Sequence, residues 1–404
     1  MQKRFTPDAG GVFPEWEEIE FGKLFQRRSE KNGEEFGVDK TISVATMHFK
    51  PEGNKADEKS LPKYKVMRTG DIAFEGNINK HFKHGRFVLN DIGDGIISPI
   101  FEVLQPVSEL SKEVPGFWKY YINYEPVMGK ILAKCANTGI MMNRLSIKDF
   151  YKQKIKVPCI EEQRKIAAAL AAYDEMIAVK TAKLETWQEC KKRMVKEIFG
   201  RTKRFRDDDG NEFPEWEEKT LGEISEPLKY GMSAAAVKYD GENKYLRITD
   251  IDESSRKYVS DKIVSPEASK VAEKFLVQKN DLLFARTGAS VGKTYLYDEA
   301  DGKMYYAGYL IKAHIKPEYD SQFIFQLTLT DEFKKWIKKE SMRTAQPGIN
   351  AECLTKYKMM IPCMKEQQKI GSFLAEIDKE IEIQKEFIKT YAEGKKRMMR
   401  ELMA

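Results

Sequence analysis

Three stretches of the chain hold residue types at spacings that could do chemistry. Gly288-Ala289-Ser290-Val291-Gly292-Lys293-Thr294 carries the glycines, lysine and hydroxyl of a phosphate-binding loop. Such a loop wraps phosphates with backbone N–H groups and needs four residues between its glycines. Here Gly288 and Gly292 enclose three, and Thr287 stands where the first glycine belongs, so the stretch reads as a tight strand connection. Asp209 with Glu217-Glu218-Lys219 resembles the acid–acid–lysine set of metal-dependent nucleases. A matching stretch earlier in the chain, Glu17-Glu18-Ile19, lacks the lysine, and the glutamates flank Trp16 and Trp216, which points to a structural role. His81 and His84 stand at i, i+3 and could ligate a metal, but no cysteine or acidic pair at finger spacing accompanies them. A surface loop is the expectation. There is no serine-centred elbow, no Asn-Pro-Pro-aromatic methylation motif and no Gly-x-Gly-x-x-Gly after a strand. No catalytic centre is expected.

Composition narrows the class. The chain has 404 residues, enough for two or more domains with real cores. Its 69 basic against 63 acidic side chains give a net charge of +6, which allows a basic groove and excludes a histone-like tail. Cys135, Cys159, Cys190, Cys353 and Cys363 form no C-x-x-C pair, so reduced thiols in a cytoplasm are expected. Met1 to Gly11 has no apolar core of signal-peptide length, and no run of ~18 apolar residues offers a membrane span.

The chain is organised around a stretch that occurs twice, over 158–199 and 362–403. Each copy starts Pro-Cys, at Pro158-Cys159 and Pro362-Cys363, and continues through Glu162-Gln163 and Glu366-Gln367. Each ends Lys-Lys-Arg-Met, and 362 less 158 and 398 less 194 both give an offset of 204. Between these landmarks one face reads Ile166, Leu170, Tyr173, Ile177, Lys180, Leu184, Trp187, Lys191, Met194, Ile198. The second copy reads Ile370, Leu374, Ile377, Ile381, Gln384, Ile388, Tyr391, Lys395, Met398, Leu402. Spacings alternating four and three are the seam of a coiled coil, and two matched seams in one chain are best explained by each other. The polar interruptions, Lys180/Gln384 and Lys191/Lys395, fall at the same levels.

The duplication covers the whole chain. Lys3-Arg4-Phe5 through Phe13-Pro14-Glu15-Trp16-Glu17-Glu18 returns as Lys203-Arg204-Phe205 through Phe213-Pro214-Glu215-Trp216-Glu217-Glu218. Between each opening and each helix the pattern is mixed and strand-rich, with Val38 to Phe49, Tyr64 to Phe74 and Gly95 to Leu104 in the first half. Lys244 to Ile251, Asp281 to Ala285, Lys293 to Tyr297 and Tyr305 to Ile315 read as strands in the second. Shorter helical patterns follow over Gly116 to Ala136 and Asp320 to Lys339. The fold class is α+β: two similar strand-rich domains separated by two long antiparallel coiled-coil helices, a pseudo-two-fold internal repeat. The expected boundaries are 1–157 and 201–361 for the domains and 158–200 and 362–404 for the helices.

This pattern resembles the DNA-specificity subunit of type I restriction–modification systems. The resemblance is carried by Trp216 to Ile224, by Asp281 to Tyr295, by Gly348-Ile349-Asn350 and by both Glu-Gln-x-x-Ile helix starts. The first half departs from it at Glu75 to Asn79. It implies that each globule is a target-recognition domain reading one half of a bipartite site in double-stranded DNA. It implies two methyltransferase subunits using S-adenosylmethionine, and restriction subunits using ATP and Mg. It implies no cofactor, no metal and no catalysis in this chain. A coiled-coil protein–protein scaffold without DNA specificity is the alternative.

Phosphate contacts need lysine and arginine, and base reading needs arginine, amides or hydroxyls on projecting loops. The candidates in the first half are Arg27, Arg28, Asn77, Asn79, Lys80, Lys83, Arg86, Asn143 and Arg144. In the second they are Lys229, Tyr230, Arg286, Thr287, Ser290, Lys293, Arg343, Thr344 and Gln346. For each, a solvated loop residue is the competing reading.

The seams make one prediction. A heptad inserted after Leu184 and after Ile388 keeps both in register and adds about 10.5 Å of helix, or about three base pairs. The half-sites methylated by the assembled complex should stay the same while the spacer between them lengthens. Mapping methylated sites before and after insertion checks this, and an unchanged spacer with retained activity would refute it.

Overall fold

The computed structural model describes residues 4–50, 58–137, 139, 142–259, 261–342 and 348–403. It divides into two units, one of Met1–Lys180 with Glu386–Ala404 and one of Thr181–Lys385. Each unit therefore holds a globule and a stretch of both long helices, Ile160–Phe199 and Met364–Met403, of 40 residues each.

The two globules share an outer ladder and a four-stranded sheet, while their smaller sheets differ: Lys65–Met67 pairs antiparallel with Gly95–Ile97 in the first, and Lys244–Leu246 pairs parallel with Met304–Tyr306 in the second. An outer ladder pairs Glu17–Glu20 with Lys154–Val157, and its counterpart pairs Glu217–Thr220 with Lys358–Ile361, both antiparallel. A four-stranded sheet runs in the order Phe25–Arg27, Glu102–Pro106, Ile72–Glu75, Arg86–Leu89. Its counterpart runs Lys229–Tyr230, Leu310–His314, Asp281–Ala285, Thr294–Leu296. The central strands, Ile72–Glu75 and Asp281–Ala285, are buried throughout, and their apolar runs have the near-continuous character of strands covered on both faces.

The turn before each central strand uses one device twice. Gly70 has φ +87° and Asn280 has φ +68°, a left-handed conformation that glycine and asparagine tolerate best. The next residue is a fully buried aspartate. Asp71 accepts from the Arg68 backbone at 2.8 Å and pairs with Arg28 at 2.6 Å. Asp281 accepts from the Gln278 backbone at 2.7 Å and pairs with Lys312 at 3.1 Å and with His314. Burial pushes the Asp71 carboxyl up, against the lowering pull of Arg28.

Several expected elements are shorter or broken. The span Tyr64 to Phe74 is two strands, Lys65–Met67 and Ile72–Glu75, because the turn at Gly70 reverses the chain. Val38 to Phe49 holds only the short strands Ile42–Ser43 and His48–Phe49. Lys244 to Ile251 is a strand only over Lys244–Leu246, since Arg247 and Asp250 close a tight turn around Ile248–Asp250. Gly116 to Ala136 is two helices, Pro115–Tyr121 and Glu125–Cys135, restarted where Pro126 sits in the first turn. Asp320 to Lys339 is likewise Ser321–Thr328 and Asp331–Ser341, each capped by its own side chain, Asp320 and Thr330.

The repeated Glu-Gln is a clamp at each helix start. Glu162, 1% exposed, accepts from Arg4 at 3.0 and 2.7 Å and from Trp16 Nε1 at 3.1 Å. Glu366, 0% exposed, accepts from Arg204 at 3.3 and 2.8 Å and from Trp216 Nε1 at 3.1 Å. The neighbouring amide closes the bend, with Gln163 Nε2 donating to Pro158 O at 3.0 Å and Gln367 Nε2 to Pro362 O at 2.8 Å. A carboxylate in the first helical turn also complements the helix dipole.

Within the first unit the helices run antiparallel. Tyr173 meets Tyr391 at 6.5 Å between ring centroids, Asp174 pairs with Lys395 at 2.5 Å, and the Lys180 ammonium lies 4.4 Å over the Phe387 ring. Within the second unit Lys191 pairs with Asp378 at 2.6 Å. The seam residues at the helix ends are buried with the globules. Ile166, Leu170, Leu402 and half-buried Met398 join the first core, and Met194, Ile198, Ile370, Leu374, Ile377 and Ile381 join the second. Tyr173, Ile177, Leu184, Trp187, Ile388 and Tyr391 are half-buried. Of the polar levels, Lys191 and Lys395 are ion-paired, whereas Gln384 is buried with its Oε1 lacking a partner. Asp174 also accepts from Tyr120 OH at 2.7 Å, and Asp378 from Gln326 Nε2 at 2.8 Å, which ties each helix pair to its globule.

Arg204→Ala leaves Glu366 as a buried, unpaired carboxylate. It should cost about 3 kcal/mol, seen as a lower urea midpoint, and Arg204→Ala with Glu366→Gln should recover part of the loss. A single-variant loss below about 0.5 kcal/mol, the range of an ordinary surface change, would refute the clamp.

Candidate nucleic-acid interface

In both units the residue that follows the central strand is held by the loop that leads to a short helix, Ile147–Tyr151 in the first and Ala351–Thr355 in the second. Asn143 N donates to Gly76 O at 2.8 Å, and Ile349 N donates to Arg286 O at 2.8 Å. This bond assembles the candidate loops. In the first unit it sets the 77–86 loop against the short hairpin Asn137 to Arg144, and Asn143 Nδ2 also reaches Lys83 O at 3.4 Å. In the second it sets Arg286 and Thr287 against Gly348, beside Tyr230.

The candidate residues fall into two groups. Some spend their charge inside the chain. Arg27 forks onto Glu102 with both bonds at 2.9 Å. Arg28 holds buried Asp71 and Glu30, and Arg86 pairs with Glu75 at 2.6 Å and donates to Ala45 O. Lys293 is only 8% exposed and bonds Ile251 O and Glu253, both at 3.0 Å. Asn143 is 4% exposed. These five brace loops rather than project from them, because each finds a partner far away in sequence. Asn79 accepts from the backbone of His81 and Phe82 and shapes its own turn.

The other group stays on the surface. Asn77, Lys80, Lys83 and Arg144 are exposed, and the three cations make no ion pair among the described residues. Lys229 and Tyr230 are exposed, with Thr287 and Ser290 intermediate. Arg286 lies over the Tyr230 ring at 4.8 Å. Arg343, Thr344 and Gln346, with Thr138, lie outside the described residues. Tyr309, missed from the sequence, is 65% exposed and its carbonyl accepts from Arg286 N at 3.0 Å. An exposed aromatic at the break between Met304–Tyr306 and Leu310–His314 was the available signal.

The motifs that suggested catalysis do other things. Gly288 to Lys293 joins two antiparallel strands, with Gly292 N bonded to Ala285 O and Ala285 N to Lys293 O, both at 2.8 Å. No helix follows it, so it has no phosphate cradle of the expected kind. Lys219 pairs with Glu217 at 2.9 Å, and Glu218 with Lys358 at 2.7 Å, along one outer ladder. No group of His, Cys, Asp and Glu that could hold a metal occurs among the described residues. Burial pushes the Cys135 thiol up to about 12, which makes it inert at neutral pH. No helix among the described residues is long and apolar enough to cross a membrane.

Comparisons with known proteins agree on one family. The model of the type I restriction modification DNA specificity domain matches residues 15–186 and again 214–390. The type I restriction enzyme MjaVIII specificity subunit of Methanocaldococcus jannaschii is 24% identical over 322 residues, 76% of this chain and 73% of that protein. The putative type I restriction enzyme MjaX specificity subunit of the same organism is 26% identical over 215 residues, 51% of this chain and 49% of that protein. The fold is similar to the S subunit of a type I restriction–modification system from M. genitalium, with TM-score 0.65, 15% identity and 99% of each chain covered. It is similar too to a chain from a structure on complex assembly and conformational transition of the type I R-M system, with TM-score 0.52, 17% identity and 97% and 98% covered.

Lys293 separates bracing from binding. Lys293→Met orphans the Ile251 carbonyl and should cost about 1–3 kcal/mol of stability, read by urea unfolding. The salt dependence of DNA binding by the assembled complex should not change, and a slope reduced by about one would make Lys293 a phosphate contact instead.

Proposed function

Because this chain belongs to the type I restriction–modification DNA specificity family, we propose that each of its units reads one part of a bipartite site in double-stranded DNA. It is the non-catalytic specificity subunit, and its two DNA-recognition domains account for the internal repeat. The chemistry belongs to its partners. In this reading two methyltransferase subunits bind the helices and methylate adenine with S-adenosylmethionine, and restriction subunits bring ATP- and Mg-dependent cleavage. The recognition domains are 1–157 and 201–361, the helical spacers 158–200 and 362–404, and the compartment is the cytoplasm.

The observation that carries this reading is the same DNA-specificity domain found twice in one chain. The loop clusters at the ends of the two central strands support it, since they gather exposed Lys80, Lys83 and Arg144 in one unit and Lys229, Tyr230 and Arg286 in the other. Unpaired cations on projecting loops are what phosphate and base contacts need. Met176 at 39%, Val179 at 56% and Phe387 at 40% exposed support partner docking on the helices, where such large apolar groups would otherwise face water.

The complex of this chain with its methylating subunits should bind its DNA site with steep salt dependence. Six to ten phosphate contacts lose about 10³- to 10⁵-fold in affinity between 50 and 200 mM salt. Binding measured across that range, with and without this chain, checks the reading. A shallow slope, or equal binding without the chain, would refute it.

A further inference from the structure

We infer that Arg286, held over the Tyr230 ring, reads a guanine in one half-site only. The inference rests on the DNA-reading function proposed above and adds a base, a residue and an asymmetry. Three observations carry it.

The first is an unsatisfied guanidinium. Arg286 is partly buried, its Nε is enclosed without a hydrogen-bond partner, and it makes no ion pair among the described residues. Among the described residues the other partly buried arginines all make an ion pair: Arg4 and Arg204 with buried glutamates, Arg28 with Asp71, Arg68 with Glu30 and Glu35, Arg86 with Glu75, Arg247 with Asp250, and Arg256, whose Nη1 also lacks a hydrogen-bond partner, with Glu253. A guanidinium that makes no hydrogen bond or ion pair in the free chain has donors left for whatever binds there.

The second is preorganisation. The guanidinium lies 4.8 Å over the Tyr230 ring, and the Tyr230 hydroxyl accepts from Ala351 N at 3.0 Å, which fixes the ring. The Arg286 backbone is bonded on both sides, N to Tyr309 O at 3.0 Å and O from Ile349 N at 2.8 Å. A guanidinium already held over a ring loses little freedom on binding, and its planar fork can pair with two acceptors at once. That edge matches the paired O6 and N7 acceptors of guanine in the major groove; it fits two phosphate oxygens as well, and the salt slope separates the two contacts.

The third is the first unit, where the equivalent position is Gly76. A Cβ there would lie 1.9 Å from Asn143 O, so no side chain can occupy the site. The two units therefore cannot read the same base in the same way.

The experiment uses the assembled methylating complex and a library of DNA sites varied one position at a time. The wild-type complex is measured first. A wild type with no site preference sinks the functional reading, and this inference with it. If the wild type selects a bipartite site, Arg286→Ala and Arg286→Lys should each lose discrimination for guanine at one position of one half-site, on the order of 10- to 100-fold, with the salt slope and the other half-site unchanged. Arg286→Lys keeps the charge and guards against a variant that misfolds. Tyr230→Leu should lose part of the same discrimination, and Tyr230→Phe, which keeps the ring face, should restore most of it. Uniform weakening with a slope reduced by about one, unchanged preference, or loss at a base other than guanine would each overturn the inference.

Discussion

Two buried carboxylates hold this chain together. Glu162 and Glu366 have almost no contact with water, and each collects an arginine and an indole from a segment that precedes its globule in sequence. An ionised carboxylate in that position is tolerable only with its bonds in place, so the opening segment cannot detach without leaving a charge in an apolar core. The outer ladders, Glu17–Glu20 with Lys154–Val157 and Glu217–Thr220 with Lys358–Ile361, start next to these clamps. The direction in which each helix leaves its globule follows from the same contacts. The Glu-Gln pair and the arginine-to-tryptophan opening, far apart in sequence, are one structural unit repeated twice.

Much of the fold was legible in the sequence because its signals are local and periodic. A seam spaced four and three over ten positions survives in both helices, and the helix starts lie just beyond Pro158 and Pro362 as that residue's chemistry requires. The central strands were legible for the same reason, as short apolar runs after a turn residue. The breaks inside Gly116 to Ala136 and Asp320 to Lys339 were missed, because a helix that stops and restarts within three residues keeps its apolar content while only its caps change.

The surface was less legible, and the reason is chemical. Arg28 and Arg286 look alike in a sequence, each beside small polar residues between strands. One finds Asp71, forty-three positions away, and becomes part of a core, while the other finds only a tyrosine face. The bracing contacts of Lys293 were hidden in the same way, because its partners at Ile251 and Glu253 come from a loop that no local pattern connects to it. Charge and loop context select cations able to bind DNA. Whether a carboxylate has already claimed them is a tertiary fact.

The division of the chain into units also fixes an order of assembly. The unit formed by Thr181–Lys385 is continuous, and all of its core can pack once that stretch has been made. The other unit is not. Its core includes Leu402 and Met403, with Met398 and Met399 packed against it, more than two hundred residues beyond Lys180. At about 5–20 residues per second that separation is roughly 10–45 s of synthesis. During that time the domain that emerged first carries an unfilled apolar notch lined by Ile166 and Leu170, while the later domain is free to close. The half of the molecule translated first is thus the half completed last.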